Sequence, residues 1–125
     1  MANTPTINLF GRVGITVGDE RISPFRTRHG AMLLTYLSLH AGEPVSRTQL
    51  VELLWPMSQE GSTRNRLSVT TYHLRTALKP YIPEIDDVII SARDTITLVP
   101  DNVQIDYLEF QRTVALIQSN PNEGE

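Results

Sequence analysis

No cysteine occurs anywhere in the 125 residues, which excludes disulfide staples, thiolate metal sites and a cysteine nucleophile. No apolar run approaches the roughly 20 residues of a membrane span. The opening Met1-Ala2-Asn3-Thr4-Pro5 has neither the basic nor the apolar region of a secretory signal. A cytoplasmic chain with no membrane partner is expected. Catalytic signals are also missing. The acids are scattered, His29, His40 and His73 have no metal spacing, and no glycine-rich phosphate loop occurs. Ser46 and His73 make the one imaginable catalytic pair, and Ser46 is better explained as a helix cap. An enzyme, a cofactor and a metal are therefore not expected.

Positive charge is scarce overall, with a formal net charge of −3, but its distribution is uneven. Residues 1–100 hold ten Lys and Arg against nine Asp and Glu, whereas residues 101–125 hold Arg112 against five acids. Within 60–80, Arg64, Arg66, Arg75 and Lys79 face Glu60 alone. The acidity belongs to the tail and the basic character to one short segment, so the sum does not exclude a nucleic-acid partner. At this length the chain is expected to build one core.

Residues 7–17 are rich in β-branched types, break at Gly11 and alternate at Val13, Ile15 and Val17, which predicts a small antiparallel meander that ends near Arg21-Ile22. A helix follows from Thr27, with Leu33, Leu34 and Leu37 at helical spacing and Gly42 near its end. Ser46-Arg47-Thr48-Gln49 reads as a reciprocal capping box with Val45 and Leu50 as its staple, opening a helix that carries Leu50, Leu53 and Leu54 inward. Trp55 is expected as a core or rim anchor before Pro56 stops the helix. Residues 56–63 read as a loop. The next helix is expected over 64–79, its core face formed by Leu67, Thr71, Leu74 and Leu78. Residues 88–99 read as a hairpin that turns near Arg93-Asp94. After Pro100, Asp106 as N-cap, Glu109 at N3 and an Ile105/Phe110 staple predict a last helix to about 118, with a tail over 119–125 that frays.

In chain order these elements describe an α+β fold, a winged helix-turn-helix with an N-terminal antiparallel sheet, a three-helix core and a C-terminal hairpin wing. Helix 64–79 would be the recognition helix and 88–99 the wing. Opposite its core face stand Asn65, Val69, Tyr72 and Thr76, flanked by Arg66, Ser68 and His73. Short polar groups and His suit base edges, an apolar group suits a thymine methyl, and Arg suits phosphate. The bland alternative is a solvated face with two stray apolar residues. A winged helix that binds protein and not DNA is the rival function.

The stretches Val45-Ser46-Arg47-Thr48-Gln49-Leu50-Val51-Glu52-Leu53-Leu54-Trp55 and Leu67-Ser68-Val69-Thr70-Thr71-Tyr72-His73-Leu74-Arg75-Thr76-Ala77-Leu78-Lys79-Pro80 resemble the OmpR/PhoB-type DNA-binding domain. The resemblance covers about residues 7–99. It implies sequence-specific binding of double-stranded DNA by a bacterial transcriptional regulator. Major-groove contacts fall on Val69, Tyr72 and His73, and phosphate contacts on Arg66, Thr70 and Arg75. In the wing the family's two glycines and tyrosine are absent from Arg93-Asp94-Thr95-Ile96-Thr97. Arg93 and Thr95 stay as candidate contacts, and Asp94 would oppose phosphate. A receiver domain is not expected, because Met1 stands only a few residues before the first strand. Asp106-Tyr107-Leu108-Glu109-Phe110 resembles the motif by which antibiotic-regulatory (SARP-type) activators run from this module into a helical activator domain. Residues 1–100 would then be the DNA-binding domain, and 101–125 a linker plus the first helix of a truncated following domain, whose Phe110, Val114 and Ile117 stripe calls for a further helix. The resemblance also implies RNA polymerase as a partner of loop 56–63, whose composition is equally that of a plain connector. A second copy on DNA completes the expected partners.

Overall fold

The computed structural model describes residues 4–57 and 60–119. Residues 120–125, most of the tail read as frayed, lie outside the described residues. Strands β1 (Thr6–Asn8), β2 (Gly14–Val17) and β3 (Glu20–Ile22) form the expected meander, with Ile7 opposite Ile15 and Ile15 opposite Ile22. Ile7 and Ile15 are fully buried, and Val13 and Val17 half-buried, so one face of the meander supplies the core. A Cβ on Gly14 would stand 2.5 Å from the Ile22 carbonyl oxygen, so the close approach of β2 and β3 requires glycine there.

Helix α1 (Arg28–Leu39) starts at Thr27, whose hydroxyl accepts from the Gly30 N–H at 3.1 Å, and it buries Leu33, Leu34 and Leu37. Beyond its end Gly42 takes a φ of +85°, and its N–H donates to the Leu98 carbonyl at 2.7 Å. The chain is thereby turned into β4 (Val45–Ser46) and α2 (Arg47–Leu54). Ser46 caps α2 by accepting from the Gln49 N–H, but the reciprocal bond of the expected capping box is not made. Ser46 is paired opposite Thr95 in a sheet, and the Gln49 side chain donates to the Tyr36 hydroxyl instead. Leu50 and Leu54 are buried, while Leu53, expected inward, is 39% exposed. This short helix packs against α1 and α3 (Glu60–Leu78) with Leu50 and Leu54 buried, while Leu53 stands at the rim of an open cleft beside Met32 and Tyr36 of α1. Trp55 is half-buried and stacks on His29, ring centres 5.0 Å apart, which is the rim-anchor role.

Helix α3 begins four residues before the expected position 64. The Gly61-Ser62-Thr63 composition reads as loop, yet Thr63 is fully buried and extends the core line of Leu67, Thr71, Leu74 and Leu78 by one more turn. A short helix not foreseen from the sequence, α4 (Ile85–Val88), places Ile85 and Val88 in the core. It shortens the hairpin at one end, leaving β5 (Ile89–Ser91) and β6 (Thr95–Leu98), which with β4 make a three-stranded sheet in the order β4-β6-β5.

The stretch read as a linker contains a strand, β7 (Gln104–Ile105), which pairs parallel to β1 and completes a first sheet in the order β3-β2-β1-β7. Helix α5 (Asp106–Ser119) follows at once. Its Asp106 does not act as the expected cap of its own helix. One carboxylate oxygen accepts from the Leu9 N–H at 2.8 Å and the other from the Phe10 N–H at 3.2 Å, across nearly the whole chain. Phe110 meets Phe10 edge-on, ring centres 5.4 Å apart. Asp106 and Phe110 thus fasten the start of α5 to the end of β1. Farther along, Leu116 and Ile117 are each 65% exposed.

Two stability predictions follow from buried and clamped polar groups. Ser38 on α1 is fully buried, and its hydroxyl has no hydrogen-bond partner among the described residues. Ser38→Ala should therefore raise unfolding stability by about 0.5–1.5 kcal/mol in urea titration, since the desolvated hydroxyl is removed and helix propensity improves. Asp106→Ala strips two charge-assisted acceptors from the Leu9 and Phe10 amides. It should cost about 1–3 kcal/mol and speed amide exchange along 107–117 more than along 67–78.

Candidate nucleic-acid interface

Two faces of α3 differ completely. Leu67, Thr71, Leu74 and Leu78 are buried, and the Thr71 hydroxyl is satisfied inside the core by donating to the Leu67 carbonyl at 2.7 Å. Asn65, Val69, Tyr72 and Thr76 recur at i, i+4, i+7 and i+11 and form an exposed line, with Val69 46% and Tyr72 64% accessible. Tyr72 is held beside His73, ring centres 5.6 Å apart, and its carbonyl accepts from the Thr76 hydroxyl. Arg66 is exposed near the start of this line.

The two flanks of the line are built differently. On one side Ser68 joins Arg47, Ala92 and Arg93 around a cleft of about 280 Å3 between α3, the start of α2 and the hairpin tip. On the other side half-buried Thr70 and His73 border a narrow crevice against Phe25, Arg26 and Thr27. The sequence-predicted helix residues are therefore spread over three neighbouring strips of one surface. Arg47 was read only as part of a capping box. Its position as first residue of a helix that starts beside the hairpin is the signal that could have found it.

The hairpin turns through Ala92, Arg93 and Asp94, closed by the Ala92 N–H donating to the Thr95 carbonyl at 2.9 Å. The start of α2 holds this tip. The Arg47 N–H donates to the Asp94 carbonyl at 2.9 Å, and Arg47 Nε donates to the Ala92 carbonyl at 3.0 Å. Arg93 and Asp94 are exposed, while Thr95 is half-buried and paired opposite Ser46. A second brace joins α3 to β5. Arg75, which the resemblance assigns to phosphate, donates from Nε and Nη2 to the Ile89 carbonyl, the shorter bond 2.8 Å, and from Nη2 to the Ser91 hydroxyl at 2.7 Å. Those donors are committed to the wing strand.

Among the described residues no group of His, Asp and Glu is placed to hold a metal ion, and no helix is long and apolar enough to cross a membrane. The arrangement offers a rigid ridge bordered by cationic side chains.

The family described as transcriptional regulatory protein, C terminal, matches residues 26–95, from the approach to α1 through the hairpin turn. No curated protein matches the chain. Among solved structures, Mycobacterium tuberculosis EmbR in complex with a low affinity phosphopeptide is similar at 21% identity and a TM-score of 0.70, covering 82% of this chain and 27% of that one. The likeness is one of fold, and this chain spans roughly a quarter of that structure's length. With more than half of its residues inside the family match, and with the helices and hairpin of a winged helix in place, the chain belongs to the OmpR/PhoB-type family of transcriptional-regulator DNA-binding domains.

Proposed function

We infer that this domain binds double-stranded DNA sequence-specifically, with α3 in the major groove and the 89–98 hairpin beside the minor groove. The observation that carries the reading is the exposed line of Asn65, Val69, Tyr72 and Thr76 on a helix whose opposite face is wholly buried. Val69 suits a thymine methyl, and Tyr72 and His73 suit base edges. Arg66 and Ser68 are exposed and Thr70 half-buried beside this line, and all three suit the phosphate backbone. At the wing, Arg93 is the cationic contact and Thr95 supports it from β6. Arg75 serves first as the brace between reader helix and wing, with Nη1 left for a phosphate.

Three partners belong to the same reading. RNA polymerase would meet the segment that joins α2 to α3, where Met57 is almost fully exposed. A second copy would share the DNA site. A following helical domain of the SARP type would cover the exposed Phe110 and Ile117 side of α5. The domain would act in the cytoplasm, where the chromosome lies.

Selection of bound sites from a random duplex pool tests the function. A defined site is expected, and retention of no duplex would leave the protein-binding alternative. On the selected site Tyr72→Ala should cost about 1–3 kcal/mol and relax preference at one or two base pairs. Arg75→Ala should weaken binding and also accelerate amide exchange at 89–91. Arg75→Lys should not restore either, because Lys lacks the planar fork that spans the Ile89 carbonyl and Ser91 hydroxyl. Weaker binding with unchanged exchange at 89–91 would make Arg75 a phosphate contact and nothing more.

A further inference from the structure

Away from the reader helix three arginines converge. Arg12 sits in the turn between β1 and β2, Arg26 in the approach to α1, and Arg28 on its first turn, and all three line one open cleft of about 430 Å3 over Val13 and Phe25. Each is exposed, and none of the three side chains makes a hydrogen bond or ion pair with a described residue. Like charges gathered without counter-charge oppose one another, so the cluster gains most from a polyanion laid across it. The cluster is also built in place. Arg21 donates from Nη2 to the carbonyls of Phe10 and Arg12, closing the turn that carries Arg12.

Its location decides between anions. Arg26 and Phe25 border this cleft and also the crevice that runs along Thr70 and His73 of α3. The cationic surface therefore starts where the reader helix ends sideways, on the flank away from the wing. We propose that Arg12, Arg26 and Arg28 form a second phosphate track that grips duplex DNA flanking the sequence read by α3. The proposal rests on the DNA-binding reading above and extends its footprint. A duplex presents a negative charge about every 1.7 Å of axis, so phosphates beyond the read bases are available to any cation continuous with the groove. Guanidinium forks pair bidentately with phosphate, and contacts of this kind set register and affinity without reading sequence.

The test compares the selected site in a minimal duplex with the same site extended by about one helical turn, roughly 10 base pairs, at either end. The wild-type protein should bind the extended duplex more tightly and with a steeper salt dependence. The triple variant Arg12→Ala, Arg26→Ala, Arg28→Ala should keep wild-type affinity for the minimal duplex. It should lose about tenfold or more on the extended one, with a salt slope shallower by about 2–3 units, at about 0.9 per phosphate released. Replacement of all three by Lys should restore most of the slope, which separates charge from any folding defect of the alanine variant. Wild-type behaviour of the triple variant on both duplexes would overturn the track and direct the cluster to an acidic protein. Equal loss on both would put the arginines inside the core footprint and overturn the flanking assignment. Failure of the wild-type protein to bind any duplex would instead remove the DNA-binding reading itself, and the track with it.

Discussion

The burial of one line of α3 is the constraint on which the surface depends. Thr63, Leu67, Thr71, Leu74 and Leu78 are almost fully removed from water, and interiors packed at crystal-like density leave such a helix no freedom to rotate about its axis. A turn of one residue, 100°, would carry leucines into solvent and Ser68, or in the opposite sense Arg66, into the core. Each buried leucine contributes roughly 1.5–3 kcal/mol, so the register is held by far more than thermal energy. What α3 presents outward is thus decided by what it hides. Thr71 shows how tightly the condition is met, because its hydroxyl is paired within its own helix and can share the core line with leucines.

The same helix would be of little use for recognition if the wing moved independently. Three polar links prevent that. Arg75 spans from α3 to β5, Arg47 holds the hairpin tip at the start of α2, and the Gly42 amide reaches Leu98 at the end of β6. Each link uses a backbone carbonyl of the hairpin as acceptor, and among these links only the Ser91 hydroxyl, which takes a second bond from Arg75, is a hairpin side chain.

Much of this was legible in the sequence because it follows from periodicity. The core and outer faces of α3 come from a 3.6-residue repeat with long side chains, and the meander from alternation at Val13, Ile15 and Val17. Elements set by tertiary pairing were harder to read. Gly61-Ser62-Thr63 has loop composition and becomes helix because Thr63 finds a buried site. Gln49 has the spacing of a reciprocal cap, yet Ser46 is already engaged in a sheet with Thr95. Asp106 has the spacing of a local cap and instead serves amides 96 and 97 residues away. The Arg12, Arg26 and Arg28 cluster was invisible for the same reason, since only the approach of the β1–β2 turn to α1 brings Arg12 beside the other two.

A net charge of −3 does not oppose the proposed DNA binding once the charges are placed. The most direct measurement is a titration of the labelled protein with its selected duplex, followed by amide and methyl chemical shifts. The account predicts the largest changes at Asn65, Val69, Tyr72 and Thr76, with the Val69 methyls among the most affected. An undisturbed α3 in a complex whose changes fall only on the first sheet or on α5 would contradict it.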